Sequence, residues 1–169
     1  MSDECKMRSY QIEGLRWLIA QYNRRVNCIL ADEMGLGKTL QSIAFLAHIL
    51  HVRREVGPHL IVVPLSVLFN WIAEFKRWCP SIKVLRFHSN DAHEQARLKA
   101  LMNDFESTEV VVTTYSLLKS EGVKRAFQRV VWRSVILDEG HKIKNNDALV
   151  SNICAGLHAV FKVRVVSIH

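Results

Sequence analysis

A short loop near the start of the sequence combines two glycines with a lysine and a threonine. It consists of Asp32-Glu33-Met34-Gly35-Leu36-Gly37-Lys38-Thr39 and joins an apolar segment to an amphipathic one. Glycines let backbone N–H groups turn towards phosphate oxygens, and the N-terminus of the following helix adds partial positive charge. Lys38 would reach the terminal phosphates of a nucleotide, and the Thr39 hydroxyl would hold Mg²⁺. The loop therefore predicts a nucleoside triphosphate site; the alternative is a glycine-rich turn with an incidental lysine.

Two adjacent acids follow another apolar segment much further along the chain. Asp138 and Glu139 come directly after Val135-Ile136-Leu137. In parallel α/β sheets, ligands gather at the carboxyl ends of strands, so this pair is expected beside the phosphate loop. Asp138 would then hold the Mg²⁺ shell, and Glu139 would orient and deprotonate the attacking water. The alternative is a solvated acidic turn that caps the next helix.

Strand-like and helix-like segments alternate along the chain. Strands are predicted at Cys28–Ala31, Leu60–Val63, Lys83–Phe87, Val110–Thr113, Val135–Leu137 and Val163–Ser167. Helices are predicted from Ser9, from Thr39, from Ser66 to Cys79, over Asp91–Met102, and around Tyr115–Leu118 and Ala148–Ala155, with Ser9 and Ser66 as caps. This alternation predicts an α/β fold with a doubly wound, mostly parallel sheet, forming one domain over residues 1–169.

The composition indicates a folded, basic protein. Hydrophobic residues make up 49% of the chain, which excludes an intrinsically disordered protein. No apolar run approaches the roughly 18 residues that span a bilayer, so we predict a soluble, intracellular protein with no membrane partner. The formal net charge is +7, and residues 119–169 contain nine basic and four acidic residues. Such a basic segment suits nucleic acid, and an ordinary solvated surface is the alternative.

Five segments, in order, resemble the motifs of the SWI/SNF-type family of chromatin-remodelling ATPases in helicase superfamily two. Arg8–Gln11 resembles the Q motif, Asp32–Thr39 motif I, Pro64–Trp71 motif Ia, Thr113–Tyr115 the next DNA-facing motif, and Asp138–Asn145 motif II with a basic extension. The resemblance includes Asp32, where the general phosphate-loop pattern has glycine.

The resemblance implies a RecA-like P-loop lobe that binds ATP and Mg²⁺, with Gln11 contacting adenine. The implied ATP contacts are Arg8, Gln11, Asp32, Met34, Gly35, Leu36, Gly37, Lys38 and Thr39. The implied catalytic residues are Lys38, Asp138 and Glu139, and the implied Mg²⁺ ligands are Thr39 and Asp138. Phosphate contacts to double-stranded DNA are implied for Ser66, Thr114, Lys142, Lys144 and Asn145. The implied partners are double-stranded DNA, nucleosomes and a second RecA-like lobe, and the implied location is the nucleus.

The end of the sequence departs from the family pattern. In the family, the strand after motif II leads into Thr-Gly-Thr-Pro, which is motif III, whereas here Val163–His169 takes that place. We therefore expect the first ATPase lobe alone, without the second lobe and its arginine fingers, and poorly active by itself. Two other functions remain open: a lobe of a helicase that separates RNA or DNA strands, and a non-catalytic module that binds ATP or a partner.

Overall fold

The computed structural model describes residues 6–89, 91–101, 108–138, 152 and 154–168. Its strands are β1 (Cys28–Glu33), β2 (His59–Val63), β3 (Val84–Phe87), β4 (Val110–Thr114), β5 (Trp132–Asp138) and β6 (Ala159–Ile168). Its α-helices are α1 (Ser9–Arg24), α2 (Lys38–Ala47), α3 (Leu65–Trp78), α4 (Ala92–Leu101) and α5 (Glu121–Arg129). No helix in these described ranges is long and apolar enough to cross a membrane.

The strands form one sheet in the order β1-β6-β5-β2-β4-β3, and every neighbouring pair is parallel. Successive residues of a strand point to opposite faces, and each face of this sheet is covered by its own apolar layer. In β2, Ile61 and Val63 join the layer under α1, α2 and α3, whereas Leu60 and Val62 join the layer under α4 and α5. The predicted doubly wound α/β sheet is therefore confirmed.

An aromatic cluster holds α1 and α2 against β6. The ring of Tyr22 lies 5.6 Å from that of Phe45 and 5.3 Å from that of Phe161, both edge to face. Phe45 and Phe161 are fully buried. Each edge-to-face aromatic pair contributes about 0.5–1.5 kcal/mol of stabilisation beyond that from burying its apolar surface. The cluster thereby fixes α1, and α2 that follows the phosphate loop, on the sheet.

The predicted helix caps were wrong at two positions. Ser9 is the first helical residue of α1, and Arg8 before it occupies the cap position with an extended backbone. The Gln11 side chain reaches back to this position, where its Oε1 accepts from the Arg8 backbone N–H at 2.9 Å. Ser66 is the second residue of α3, and Pro64 occupies its cap position with an extended backbone. Neither helix start has a serine as its side-chain cap.

Other element boundaries differ from the predictions by several residues. Helix α5 was missed: its buried residues Val123 and Phe127 have helical i, i+4 spacing, but the helix is only 9 residues long and mostly polar. The helical turn predicted at Tyr115–Leu118 is a 3₁₀ turn at Leu117–Lys119, and β6 starts four residues before the predicted Val163. Most of the helix predicted around Ala148–Ala155 lies outside the described residues.

A buried polar pair joins β2 to β5. His59 and Ser134 are register partners, both are fully buried, and His59 Nδ1 lies 2.8 Å from the Ser134 hydroxyl. The Nε2 atom of His59 is buried with no hydrogen-bond partner among the described residues. Burial, assisted by the nearby charge of Arg133, lowers the pKa of His59 from 6.5 to about 4. His59 is therefore neutral in the folded protein at physiological pH.

We predict that His59 makes folding stability fall between about pH 6.5 and pH 4. In that range the imidazole takes up a proton in the unfolded chain but not in the folded one. The unfolded state then binds more protons, so acidification should cost up to about 3 kcal/mol from this residue. Urea unfolding of the parent and of His59→Gln across this pH range measures the effect. The parent should lose more stability than His59→Gln, while a variant of the exposed His51, His51→Gln, should follow the parent. Identical pH dependence in the parent and His59→Gln would contradict the prediction.

Candidate functional site

The phosphate loop predicted from the sequence lies between the end of β1 and the start of α2. Gly35 and Gly37 have φ angles of 86° and 80°, in the left-handed region that favours glycine. Gly37 is the cap residue of α2, so the helix begins directly at Lys38. The loop therefore directs the free backbone N–H groups of a helix start towards a ligand position.

Lys38 is a nearly buried cation held by the loop itself. Its side chain is 8% exposed, and its ammonium donates to the backbone carbonyls of Asp32 at 2.8 Å and Glu33 at 2.6 Å. None of the ion pairs among the described residues includes Lys38. A buried charge with only neutral acceptors is electrostatically incomplete. The position therefore suits an anionic ligand such as a phosphate.

Gln11 connects the start of α1 to the loop. Its Nε2 donates to the Leu36 carbonyl at 3.3 Å, and its Oε1 accepts from the Arg8 backbone. The contact is close, because a Cβ atom added at Gly37 would lie 2.3 Å from Gln11 Nε2. The side chain is 8% exposed. Gln11 thus packs against the loop, a contact that the sequence did not indicate.

Asp138, at the carboxyl end of β5, is held by two aromatic residues. The Trp71 indole N–H donates to Asp138 Oδ2 at 2.7 Å, and the Tyr115 hydroxyl donates to the Asp138 backbone carbonyl at 3.1 Å. Asp138 is 7% exposed, and Trp71 is 1% exposed. Trp71 is also a core residue, and the sequence gave no sign of its bond to Asp138. These donors set the position of the carboxylate.

A cavity of about 310 Å³ brings the loop and Asp138 together. It is lined by Met34, Gly35, Gly37, Lys38, Thr39, Leu40, Val67, Asn70, Trp71, Glu74, Asp138 and Ser167. The residues of α3 that line the cavity were not predicted from the sequence. A signal was present, because Val67, Asn70, Trp71 and Glu74 have the spacing of one helix face.

The residues predicted to bind DNA have different environments. Ser66 is exposed near the start of α3. Thr114 is fully buried, and its hydroxyl lies 3.3 Å from His88 Nδ1 and 3.0 Å from the Ser116 hydroxyl. A direct phosphate contact by the Thr114 hydroxyl would require these contacts to be exchanged. Glu139, Lys142, Lys144 and Asn145 lie outside the described residues.

Comparison with known families agrees with this architecture. Residues 10–165 match the family model described as the SNF2-related domain. The chain belongs to the SNF2-related domain family. The resemblance found in the sequence is thereby confirmed, and this is a SNF2-family ATPase domain of the type found in chromatin remodellers and helicases.

Individual relatives match most of this SNF2-related domain. The human SWI/SNF-related matrix-associated actin-dependent regulator of chromatin subfamily A member 1 is 46% identical over 147 residues, which are 87% of this chain and 14% of that protein. Helicase swr1 of Emericella nidulans is 45% identical over 139 residues, which are 82% of this chain and 8% of that protein. The chain therefore spans a small part of the length of these relatives.

A solved structure supports the same fold assignment. The Sulfolobus solfataricus SWI2/SNF2 ATPase core in complex with dsDNA superimposes with a TM-score of 0.83 and 28% sequence identity. The match covers 98% of this chain and 32% of that one. The SNF2-related domain described here thus has the RecA-like fold of a SNF2 ATPase core.

We predict that Gly37→Ala destabilises the protein more than Gly35→Ala. Both changes put a side chain at a left-handed φ angle, which costs about 1–2 kcal/mol. Only the methyl group at position 37 also meets Gln11, because no atom lies within 4 Å of a Cβ at Gly35. Urea unfolding without nucleotide measures both costs. The extra cost at Gly37 should disappear when Gln11→Ala is added, and equal costs in the two single variants would contradict the contact.

Proposed function

We propose that this SNF2-related domain is the ATP-binding lobe of a chromatin remodeller that translocates along double-stranded DNA. In the intact protein it would hydrolyse ATP to ADP and phosphate. The supporting observation is the cavity in which the buried ammonium of Lys38 and the buried carboxylate of Asp138 line one space. A cation for phosphate and an acid at the end of another strand of the same sheet suit phosphoryl transfer.

The residues around the cavity fit ATP with Mg²⁺. Thr39 and Asp138 both line it, and their hydroxyl and carboxylate oxygens are the ligand type that Mg²⁺ prefers. When bound, Mg²⁺ supplies positive charge that neutralises phosphate oxygens. Trp71 and Tyr115 hold Asp138 in place for this role. Lys38 would exchange its carbonyl acceptors for phosphate oxygens, which form stronger, charge-assisted hydrogen bonds.

The remaining ATP contacts are proposed for the loop and the start of α1. Asp32, Met34, Gly35, Leu36 and Gly37 would surround the phosphates with backbone N–H groups. Arg8 and Gln11 would contact the adenine end. Gln11 is suited to this role, because each of its amide atoms has capacity for one more hydrogen bond beyond those to Leu36 and Arg8. Glu139, next along the chain from Asp138, is proposed as the general base for the attacking water.

We predict that Lys38→Ala weakens ATP binding about 10- to 100-fold. The change removes the cation nearest to the terminal phosphates, and hydrogen bonds to charged groups contribute about 1.5–3 kcal/mol. Calorimetric titration with ATP and Mg²⁺ measures the affinity, and urea unfolding checks that the variant is folded. Lys83→Ala, an exposed lysine at the far end of the sheet, is the matched control and should bind like the parent. Unchanged affinity in a folded Lys38→Ala protein would exclude the loop as a phosphate site.

Double-stranded DNA is proposed as the partner at the same edge of the sheet. Parallel strands end at a common edge of the sheet. Ser66 comes after β2, Thr114 is the last residue of β4, and Lys142, Lys144 and Asn145 come after β5 in the sequence. Ser66 is the exposed described member of this set, and Thr114 would contribute through its loop rather than its hydroxyl. The solved Sulfolobus relative is a complex with dsDNA, which supports the proposal. Nucleosomes, a second RecA-like lobe and a nuclear location are proposed with it, in line with the chromatin-regulator relatives.

We predict that replacing Lys142 and Lys144 together by Ala flattens the salt dependence of DNA binding. Each neutralised phosphate contributes a slope of about −0.9 to log affinity against log salt, so the loss should be up to about 2 units. Fluorescence anisotropy with a short duplex at several salt concentrations measures the slope. The control replaces Lys76 and Lys83, which are exposed and carry the same charge. An unchanged slope in the test variant, or an equal change in the control, would move the DNA path elsewhere.

A further inference from the structure

A second organised surface lies at the opposite end of the sheet, where the strands begin. It comprises residues 22–26 at the end of α1, residues 52–56 before β2, and residues 131–133 at the start of β5, and we call it the amino-edge surface. Glu55 joins the three segments: its carboxylate accepts from the Tyr22 hydroxyl at 2.6 Å and pairs with Arg53 at 2.6 Å and Arg133 at 3.7 Å. Arg133 also donates to the Val56 carbonyl at 3.4 Å.

The amino-edge surface is strongly basic. It contains Glu55 as its one acid and five arginines, Arg24, Arg25, Arg53, Arg54 and Arg133. The Tyr22 hydrogen bond, together with Arg53 and Arg133, holds the pKa of Glu55 below its ordinary value, so the acid stays ionised and engaged. The other three arginines, Arg24, Arg25 and Arg54, are exposed and take part in none of the ion pairs of the described residues. Their charge is therefore available to a partner.

The same surface also has exposed apolar side chains. Four valines are exposed there by 50–71%, namely Val26, Val52, Val56 and Val131. Single exposed apolar side chains are ordinary, but a group of them on one surface marks an interaction site. Phosphate groups would pair with the arginines but would form no apolar contacts with the valines. Valines beside arginines fit a protein partner that carries both carboxylates and aliphatic side chains.

Two of the arginines occupy backbone positions that favour glycine. Arg25 and Arg54 have φ angles of 57° and 54°, in the left-handed region. Arg25 ends α1: its backbone N–H donates to the Tyr22 carbonyl at 3.0 Å, and the Val26 N–H donates to the Gln21 carbonyl at 3.1 Å. In helix ends with this hydrogen-bond pattern, the left-handed residue is usually glycine. A cation at a helix C-terminus gains some energy from the helix dipole. Glycine at these two positions would keep the backbone and remove only the side chains.

We propose that the amino-edge surface binds an acidic protein segment with aliphatic side chains. Carboxylates of that segment would pair with Arg25 and Arg54, and its aliphatic groups would cover Val56 and Val131. The surface lies at the end of the sheet opposite the cavity, so a partner there leaves the nucleotide and DNA positions accessible. This makes it independent of the function proposed for the cavity.

The test uses a fluorescein-labelled peptide of glutamate and leucine residues and the complete chain. In anisotropy titrations, Arg25→Gly with Arg54→Gly should weaken binding about 2- to 30-fold, the value of two exposed ion pairs. Thermal stability should be unchanged or higher, because glycine suits both φ angles. The control, Arg16→Ala with Lys76→Ala, removes the same charge from exposed sites elsewhere and should bind like the parent.

The apolar part has its own test. A matched peptide with serine in place of leucine should bind more weakly than the glutamate–leucine peptide, and Val56→Ser with Val131→Ser should abolish that difference. Equal binding of the two peptides, no binding of either, or an equal loss in the Arg16/Lys76 control would overturn the proposal. If a short DNA duplex displaces the peptide and its own binding falls in the Arg25/Arg54 variant, the surface belongs to nucleic acid instead.

Discussion

The position of β6 between β1 and β5 is the constraint on which the site depends. Backbone pairing sets Asp32 beside Ser167 on one side of β6 and Asp138 beside Val165 on the other. Neighbouring strands are about 4.8 Å apart, so the ends of β1 and β5 are separated by about 10 Å across the sheet. The cavity lined by Lys38 and Asp138 lies at this gap. If β5 paired directly with β1, Asp138 would lie directly against the phosphate loop.

The apolar contacts that stabilise β6 also position the residues around the cavity. Phe161 is fully buried, and its ring contacts Tyr22 of α1 and Phe45 of α2, the helix that follows the loop. On α3, Trp71 is a core residue whose indole N–H holds Asp138. The same side chains therefore bury the sheet and set the geometry of the site. Lys38, Asp138 and Ser167 of the cavity are nearly buried, and charges interact more strongly where water is excluded.

The two ends of the sheet have different chemistry. At the carboxyl end, Lys38 and Asp138 are nearly buried and line one cavity that is partly open to solvent. At the amino end, the arginines and valines around Glu55 are mostly exposed and form an open surface. Strand β5 joins the two, and its seven residues span about 20 Å. Ligands at the two ends would therefore not compete for space, and any influence between them would pass through the buried strands.

The sequence by itself determined the elements whose signals are local. Strands β2 and β4 are buried along their whole length, so each is a short, mostly apolar run that can be recognised without knowing which strands lie beside it. The phosphate loop was equally clear, because glycines, lysine and threonine act within a few residues of each other. By contrast, α5 was missed because it is only 9 residues long and mostly polar, although its two buried residues, Val123 and Phe127, have helical spacing.

Only the tertiary structure decided which distant residues meet. The bond between Trp71 and Asp138 joins residues 67 positions apart, and the chemistry of a tryptophan alone does not distinguish such a donor from ordinary core packing. For Thr114, the family resemblance implied a DNA contact, and only the structure shows that its buried hydroxyl lies beside His88, which follows β3. The Glu55 cluster likewise unites three segments with no shared sequence motif. Local sequence sets the elements, whereas these contacts follow from the order and register of the strands, which depend on packing across the whole sheet.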